Sequence, residues 1–214
     1  MAAQIKGEDK SMHKLKVLGL ALVVIGALSA IAASSAFAGY HIASVSGGSI
    51  VGNQTTKNEF VTDVGTVKCS IATFSGHQST ETAATLTVHP EYSGCSLSGL
   101  SVSINTTSCS YRFETPVTTP SLHASVKVLC GAGTSISITE SLGKGCVVSV
   151  GEQGPLSHVT FTSTGDTQEW FFAAAGIKYT DNGKCPSTTE GHTNSTGEYK
   201  GAVLASGSSA IEVT

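Results

Sequence analysis

The sequence predicts an all-β fold, either an antiparallel β-sandwich or a barrel-like domain. Three observations predict it. The 30 serines and 26 threonines make up 56 of the 214 residues, with 24 glycines besides, a composition typical of strands and turns. Apolar and polar residues alternate with a period of two along several segments. After residue 38, no segment keeps apolar residues at the helical spacing of i, i+3, i+4 and i+7 over three turns.

Residues 1–38 are typical of a secretory signal peptide. Two lysines precede an uncharged, apolar run over residues 17–38, and its end matches an A-x-A cleavage site. We expect translation to start at Met12 and cleavage to fall between Ala38 and Gly39. The alternative is an uncleaved membrane anchor, because the run is long enough to span a bilayer. The protein is therefore expected to be secreted or held at the cell surface.

Residues 39–214 are the predicted β domain. They carry 8 basic and 13 acidic side chains, a net charge of 8 − 13 = −5. A domain with this negative net charge is unsuited to electrostatic binding of phosphate backbones, so nucleic acid is not an expected partner. Two prolines within residues 115–120 mark a candidate sub-boundary. One domain is favoured over two, because each half would have fewer than 100 residues.

The alternating segments are predicted to be half-buried strands with hydroxyl-bearing or lysine side chains on the solvent face. In chain order these segments are Leu86–Val88, Leu100–Ile104, Val126–Val128, Ser135–Thr139, Val159–Thr162 and Ile177–Thr180. The apolar segment Trp170–Phe172 fits a buried strand or part of a short helix over Gln168–Ala175.

Glycine-rich clusters between these segments predict turns. The clusters lie at residues 47–49, 92–94, 131–133, 143–145 and 164–166. The Asn182-Gly183 pair favours a type I′ hairpin turn.

Six cysteines, an even number, all fall in the predicted exported part, which indicates three disulfides. They are Cys69, Cys95, Cys109, Cys130, Cys146 and Cys185. The alternatives are metal ligation and a nucleophilic thiol, but no C-x-x-C occurs and the closest pair is 14 residues apart, so zinc-ribbon spacing is absent. Fifteen pairings are possible. Because two pairs each bracket a turn-rich segment between strands, we expect Cys69–Cys95 and Cys130–Cys146, which leaves Cys109–Cys185.

Catalytic motifs are weak in this chain. Ser141 and Lys144 match S-x-x-K, but glycines flank the lysine and no K-T-G or S-D-N motif accompanies it. The histidines after residue 38 show no tight metal-ligand spacing; they are His41, His77, His89, His123, His158 and His192. The carboxylates considered as glycosidase pairs are dispersed; they are Glu81, Glu91, Glu114, Glu140, Glu152, Asp166 and Glu169. The sequence therefore nominates no catalytic, cofactor-binding or metal-binding residue.

Several segments carry a family resemblance. They are Gly65–Cys69, Ala72–Gly76, Tyr92–Cys95, Gly176–Thr180 and Cys185-Pro186. With the signal segment, they resemble a group of secreted, Ser/Thr-rich, disulfide-containing β proteins that occur in many similar copies in some actinobacterial genomes. The resemblance covers most of residues 14–205. It implies export, a β fold and bridged cysteines, and no activity of that group is carried over to this chain.

Two functions from different classes remain. The first is a non-enzymatic extracellular or cell-surface β module with a structural or ligand-binding role, whose partners would be a cell wall, an extracellular glycan or a protein. The second is a secreted hydrolase of glycans or peptides whose site is assembled only by the fold. The first is favoured, because enzymes commonly carry at least one recognisable motif. No cofactor is expected for it, and a membrane is a partner only if the signal segment stays uncleaved.

Overall fold

A computed structural model of the protein describes residues 42–43, 48–78, 82–83, 85–114, 123–141, 143, 145–164, 167–185, 190–207 and 212–213. The predicted signal segment 1–38 with Met12, the cleavage site between Ala38 and Gly39, and the candidate sub-boundary at 115–120 lie outside these residues.

The described residues form fourteen β-strands and no helix, which confirms the predicted all-β class. The strands are β1 (Ile42–Ala43), β2 (Gly48–Thr62), β3 (Gly65–Gln78), β4 (Thr82–Ala83), β5 (Thr85–Leu97), β6 (Leu100–Asn105), β7 (Cys109–Glu114), β8 (His123–Cys130), β9 (Ile136–Glu140), β10 (Val147–Val150), β11 (Gln153–Thr164), β12 (Thr167–Asp181), β13 (Thr193–Gly207) and β14 (Glu212–Val213). The six alternating segments and Trp170–Phe172 all lie in or overlap these strands.

Eleven strands form one antiparallel sheet in the order β10-β9-β6-β5-β3-β2-β13-β12-β11-β8-β7, and the sheet closes on itself. The β5–β7 pairing closes an eight-stranded barrel, which decides between the two predicted architectures. A further pairing, β10–β12, closes the sheet a second time through β9 and β6. The short strands β14, β1 and β4 form a separate three-stranded sheet.

Each of the two pairings β5–β7 and β10–β12 closes a ring of strands, and both rings contain the five long strands β5, β3, β2, β13 and β12. Each ring is completed by three further strands between β5 and β12, and we call each set of three a panel. The first panel is β7, β8 and β11; the second panel is β6, β9 and β10. Strand β5 pairs with the first panel through Thr85–Val88 and with the second through Cys95–Leu97. Strand β12 pairs with the first panel through Thr167–Phe172 and with the second through Thr180–Asp181.

Side-chain alternation explains why these segments form a barrel wall. In β5, Leu86 and Val88 are buried whereas Thr85 and Thr87 are exposed. Successive strand residues point to opposite faces, so a period of two places the alternating apolar side chains of such a strand on the inner face of the barrel.

Two predicted turns are wrong, because the strands run through them. Gly48 and Ser49 begin β2, and residues 92–94 lie inside β5. The ladder continues on both sides of Gly94, which has a φ of 59° and bends the strand without ending it. Ser70 on β3 donates its hydroxyl hydrogen to the Gly94 carbonyl at 3.1 Å.

The predicted hairpin turn at Asn182-Gly183 is also wrong. Strand β12 ends at Asp181 and β13 begins at Thr193, so the connection is longer than a two-residue turn. The Asn182 side chain ties this connection to β10: it accepts from the Val147 N–H at 3.1 Å and donates to the Gly145 carbonyl at 2.9 Å. Gly183 supplies the left-handed φ of 71°.

All six cysteines form disulfides, as predicted, but two of the three predicted pairs are wrong. The bridges are Cys69–Cys95, Cys109–Cys130 and Cys146–Cys185, in place of Cys130–Cys146 and Cys109–Cys185. The β7–β8 register places Cys109 directly opposite Cys130, as the β3–β5 register places Cys69 opposite Cys95. Cross-strand position, rather than closeness in sequence, selects the partner.

The buried residues form two clusters. The disulfide cluster holds five of the six cysteines with Phe60, Val148 and Tyr179 among others. The aromatic cluster holds the contacting rings of Phe74, Phe113, Phe161, Trp170 and Phe172. Four half-buried residues pack against both clusters: Tyr92, Leu156, Tyr111 and Tyr199. The junction of the clusters is therefore where tyrosine hydroxyl groups meet the core.

Candidate functional site

A cavity of about 80 Å³ lies at the junction of the two clusters. Its lining comes from both panels and from the long strands, so it lies inside the barrel wall. The first panel contributes Tyr111, Val126, Val128 and Leu156, and the second contributes Ile104, Ile136, Ile138 and Val150. Most of the lining is hydrocarbon. A cavity of this size can hold several waters or one small organic molecule.

Three tyrosines bring hydroxyl groups to the cavity from β5, β7 and β13. The Tyr92 Oη lies 3.1 Å from the Tyr111 Oη and 3.1 Å from the Tyr199 Oη. All three residues line the cavity. Tyr92 is thus the middle member of a hydrogen-bonded row of three phenols, which we call the tyrosine row.

Asn58 ends the tyrosine row on the β2 side. Its Oδ1 accepts a short hydrogen bond from the Tyr199 hydroxyl. Its Nδ2 donates to Gln54 Oε1 at 3.0 Å and is 3.4 Å from the Thr56 carbonyl oxygen. Asn58 is only 2 % exposed, so its amide is a buried polar group with its hydrogen-bonding capacity used.

An irregularity in β2 places Asn58 in the barrel. The β2–β3 register shifts between Asn53 and Asn58, and the β13–β2 register shifts twice near Ala202. Such bulges bend a strand and redirect side chains. On β13, the glycine at position 201 leaves room for the amide, because a Cβ there would clash with Asn58 Oδ1.

Burial is the largest cause that raises the pKa of each phenol in the row. The pKa values of Tyr92, Tyr111 and Tyr199 all lie well above the usual value near 10. A neighbouring phenolate would add repulsion in each case. The row is therefore neutral at physiological pH and serves as a hydrogen-bonding group rather than as a base.

The two panels meet at a seam beside the cavity. Along the seam, β5 residues 89–94 and β12 residues 173–179 have no ladder partner on the panel side. Side chains take that place: Thr106 donates to the Pro90 carbonyl at 2.6 Å. The Gln153 amide accepts from the Lys178 N–H at 2.7 Å and donates to the Lys178 carbonyl at 2.9 Å. Side chains thus satisfy three backbone groups at the seam, the Pro90 carbonyl and the Lys178 N–H and carbonyl, where the sheet is interrupted.

The residues weighed as catalytic candidates do not gather at the cavity. Ser141 is exposed, and Lys144 lies outside the described residues. His77, His89 and His192 are exposed, and the His192 Nδ1 is 3.8 Å from the Asp181 Oδ2. Residue His41 and the side chains of His123 and His158 lie outside the part of the chain that the structure describes.

The candidate carboxylates are also dispersed. Glu114 forms ion pairs with Arg112 at 2.8 Å and Lys127 at 2.9 Å, and the hydrogen bond from Lys127 is the largest cause that lowers its pKa. Glu169 accepts from the Thr55 hydroxyl at 2.8 Å. Glu91 and Glu152 are exposed, Glu140 is half-buried, and Glu81 and Asp166 fall outside the described chain. Within the described ranges, no group of three or more histidine, cysteine or acidic residues could hold a metal ion.

Sequence reasoning missed the tyrosine row. Tyr92 was assigned to a turn, and Asn58 stands in a polar segment without alternation. A usable signal existed for Tyr111, since Cys109, Tyr111 and Phe113 alternate on one face of a strand. No signal could bring the three tyrosines together, because the contacts span 19 and 107 residues and depend on barrel closure.

Comparison of the chain with protein-family models, with curated proteins and with solved structures found no match. In the part of the chain that the structure describes, no helix is long and apolar enough to cross a membrane. The three disulfides are consistent with an extracellular location.

Proposed function

We propose that this protein is an exported β-barrel that binds a small, mostly apolar molecule in the cavity at the tyrosine row. The observation that carries the proposal is the combination of a hydrocarbon lining with one row of convergent hydroxyl groups. Small-molecule sites are typically apolar and concave, with a few polar groups that orient the ligand. Export is supported by the predicted signal segment, by the resemblance to secreted actinobacterial proteins and by the disulfides.

Cavity size limits the ligand class. An engineered apolar cavity of about 150 Å³ binds benzene. The present cavity of about 80 Å³ is roughly half as large, so we expect ligands no larger than a single five- or six-membered ring or a short branched chain. An oligosaccharide is too large and too polar for this site.

Binding is favoured over hydrolysis by the chemistry of the lining. A hydrolase needs a nucleophile or an acid–base group with a pKa near the working pH. The titratable groups that line the cavity among the described residues are the three phenols, whose pKa values burial raises. Neutral phenols in a fixed row orient a ligand without reacting with it.

The proposal is tested by adding benzene to the purified, oxidised protein. Binding to the folded state alone stabilises it by RT ln(1 + [L]/Kd), about 1.4 kcal/mol at ten times Kd. For a chain of this length we expect a rise in Tm of about 3–5 °C. Transfer of saturation between the protein and benzene, observed by NMR, provides a direct readout of binding.

A cavity-filling variant is the specific control. Ala174 lines the cavity and is 2 % exposed, so Ala174→Leu should remove benzene binding while the protein stays folded. Val128→Leu fills less of the cavity and should weaken binding less. Ala132→Leu adds the same side chain in an exposed turn and should leave binding unchanged. Benzene binding that survives in a folded Ala174→Leu variant would show that the ligand sits elsewhere.

A further inference from the structure

The hydrogen bonds of the tyrosine row continue to the backbone of β3. Gln54 donates its Nε2 hydrogen to the Ser70 carbonyl in a short contact. Gln54 Oε1 in turn accepts from Asn58 Nδ2, and Asn58 Oδ1 accepts from Tyr199. A backbone carbonyl can only accept a hydrogen bond, so Ser70 fixes the orientation of the Gln54 amide. The Gln54 amide and the Thr56 carbonyl then fix that of Asn58.

The position of each phenolic proton follows from this order. A tyrosine hydroxyl has one proton to donate. Tyr199 gives its proton to Asn58 Oδ1, so in the contact with Tyr92 it can only accept. Tyr92 therefore gives its proton to Tyr199 and must accept from Tyr111. Every proton in the row is therefore donated in the direction of Asn58 on β2.

The oxygen of Tyr111 is the free end of this row. Its proton is donated to Tyr92, and its oxygen accepts no hydrogen bond from the residues that the structure describes. Tyr111 also lines the cavity. A ligand with an N–H or O–H group can donate it to a lone pair of the Tyr111 oxygen. A ligand that can only accept has no donor at this oxygen, because the Tyr111 proton is donated to Tyr92.

We propose that the cavity selects small ring or branched-chain ligands that carry one hydrogen-bond donor, an N–H or O–H group, which is directed at the Tyr111 oxygen. This selectivity rests on the proposed binding function. Its origin is the carbonyl of Ser70, which sets the proton order through Gln54, Asn58, Tyr199 and Tyr92.

Pyrrole and furan test the selectivity because they have nearly the same shape. Pyrrole presents an N–H donor at the ring position where furan presents an oxygen acceptor. We expect pyrrole to bind about tenfold more tightly than furan, as one buried hydrogen bond to an otherwise unpaired acceptor implies. Kd values are measured by NMR titration of the oxidised protein, with benzene as the apolar reference. Equal binding of the two ligands, or tighter binding of furan, would overturn the donor selectivity and leave the binding function standing.

Two phenylalanine variants test the origin of the selectivity. Tyr199→Phe keeps the ring but cuts the row from Asn58, which frees Tyr92 and Tyr111 to reverse their protons and to donate to a ligand. The pyrrole-to-furan ratio should then fall from about tenfold to about onefold. Tyr179→Phe removes a comparable hydroxyl that bonds Asp63 away from the cavity, and it should preserve the ratio.

The outcomes separate the two proposals. A ratio that stays near tenfold in folded Tyr199→Phe would overturn the proton order as its cause. A loss of affinity for both ligands by the same factor would assign Tyr199 a structural role only and would likewise overturn it. If benzene, pyrrole and furan all fail to bind the native protein, the proposed function itself is wrong.

Discussion

Asn58 is the residue on which the site depends most. It stands in a buried position of an apolar barrel, yet its Oδ1 and Nδ2 both have partners. A buried polar group costs little when it is hydrogen-bonded and much when its partner is removed. The bulge of β2 and the missing side chain at Gly201 are the features that allow it.

Removal of the Asn58 amide should therefore destabilise the protein. Asn58→Ala leaves the buried Tyr199 hydroxyl without its acceptor, so we expect the free energy of unfolding to fall by about 1–3 kcal/mol. Urea unfolding followed by tryptophan fluorescence measures the change. Asn53→Ala, at an exposed position of the same strand, is the matched control and should change stability by less than about 0.5 kcal/mol. Equal effects of the two variants would contradict the role given to Asn58.

The tyrosines predict a specific alkaline behaviour. Burial is the largest cause that raises the pKa of Tyr92, Tyr111, Tyr179 and Tyr199 above the usual value. Tyrosines of the unfolded chain ionise near pH 10, so above that pH the folded state holds more protons than the unfolded state. The stability from these groups is complete below pH 10 and is lost as the pH rises above it.

A spectrophotometric titration near 295 nm checks this behaviour. We expect these four tyrosines to ionise only above pH 10 and together with unfolding, which far-ultraviolet circular dichroism follows in parallel. Ionisation of all four with a midpoint of 10 in a protein that is still folded would refute the burial of these tyrosines.

At the scale of the strands, alternation predicted the segments of the wall but not their irregularities. Ser135–Thr139 could be predicted because the buried residues Ile136 and Ile138 alternate with half-buried hydroxyl-bearing residues. In Leu100–Ile104 the pattern holds for residues 101–104, whereas Leu100 is 42 % exposed. Tyr92 was misassigned because the neighbouring Gly94 bends β5 and resembles a turn in sequence. The burial of Asn58 could not be predicted because a bulge interrupts the alternation of β2 where this side chain turns inward. Two polar residues of the candidate site, Tyr92 and Asn58, thus lie where the strands depart from the pattern, whereas Tyr111 follows it.

The seam between the panels gives a prediction at this scale. Gln153→Ala removes the side chain that pairs with both backbone groups of Lys178. We expect a loss of stability of about 1 kcal/mol and faster hydrogen exchange at the Lys178 amide. In Gln153→Glu the side chain still accepts from the Lys178 N–H but cannot donate to the Lys178 carbonyl. The exchange rate of the Lys178 amide in this variant should therefore lie between the rates in the native protein and in Gln153→Ala. An unchanged exchange rate in Gln153→Ala would show that the hydrogen bonds of the Gln153 side chain do not protect the backbone at the seam.

At the scale of the whole molecule, two closures of one sheet share five strands, and one disulfide, Cys146–Cys185, lies beside the β10–β12 pairing that makes the second closure. Cys69–Cys95 joins neighbouring long strands, and Cys146–Cys185 joins the connection after β12 to the segment before β10. The sequence could predict that the cysteines pair but not how, since the pairing follows from strand register.

Reduction should accordingly unfold the protein. The bridges close loops with sequence separations of 26, 21 and 39 residues, and each should contribute about 3–4 kcal/mol through restriction of the unfolded chain. The sum is comparable to the whole stability of a typical domain. We expect no free thiols under denaturing conditions and a loss of the thermal transition after reduction. Peptide mapping that recovers Cys130–Cys146 or Cys109–Cys185 would contradict the strand register.

The most direct test of the central claim is a crystal structure of the oxidised protein soaked with pyrrole. The tyrosine row predicts electron density for one ring inside the barrel, between the two clusters, with the ring nitrogen about 2.7–3.2 Å from the Tyr111 Oη. A cavity without pyrrole in crystals that hold the ring only on the outer surface would contradict the binding function. A ring inside the cavity with its nitrogen directed away from the Tyr111 Oη would contradict the direction of the row.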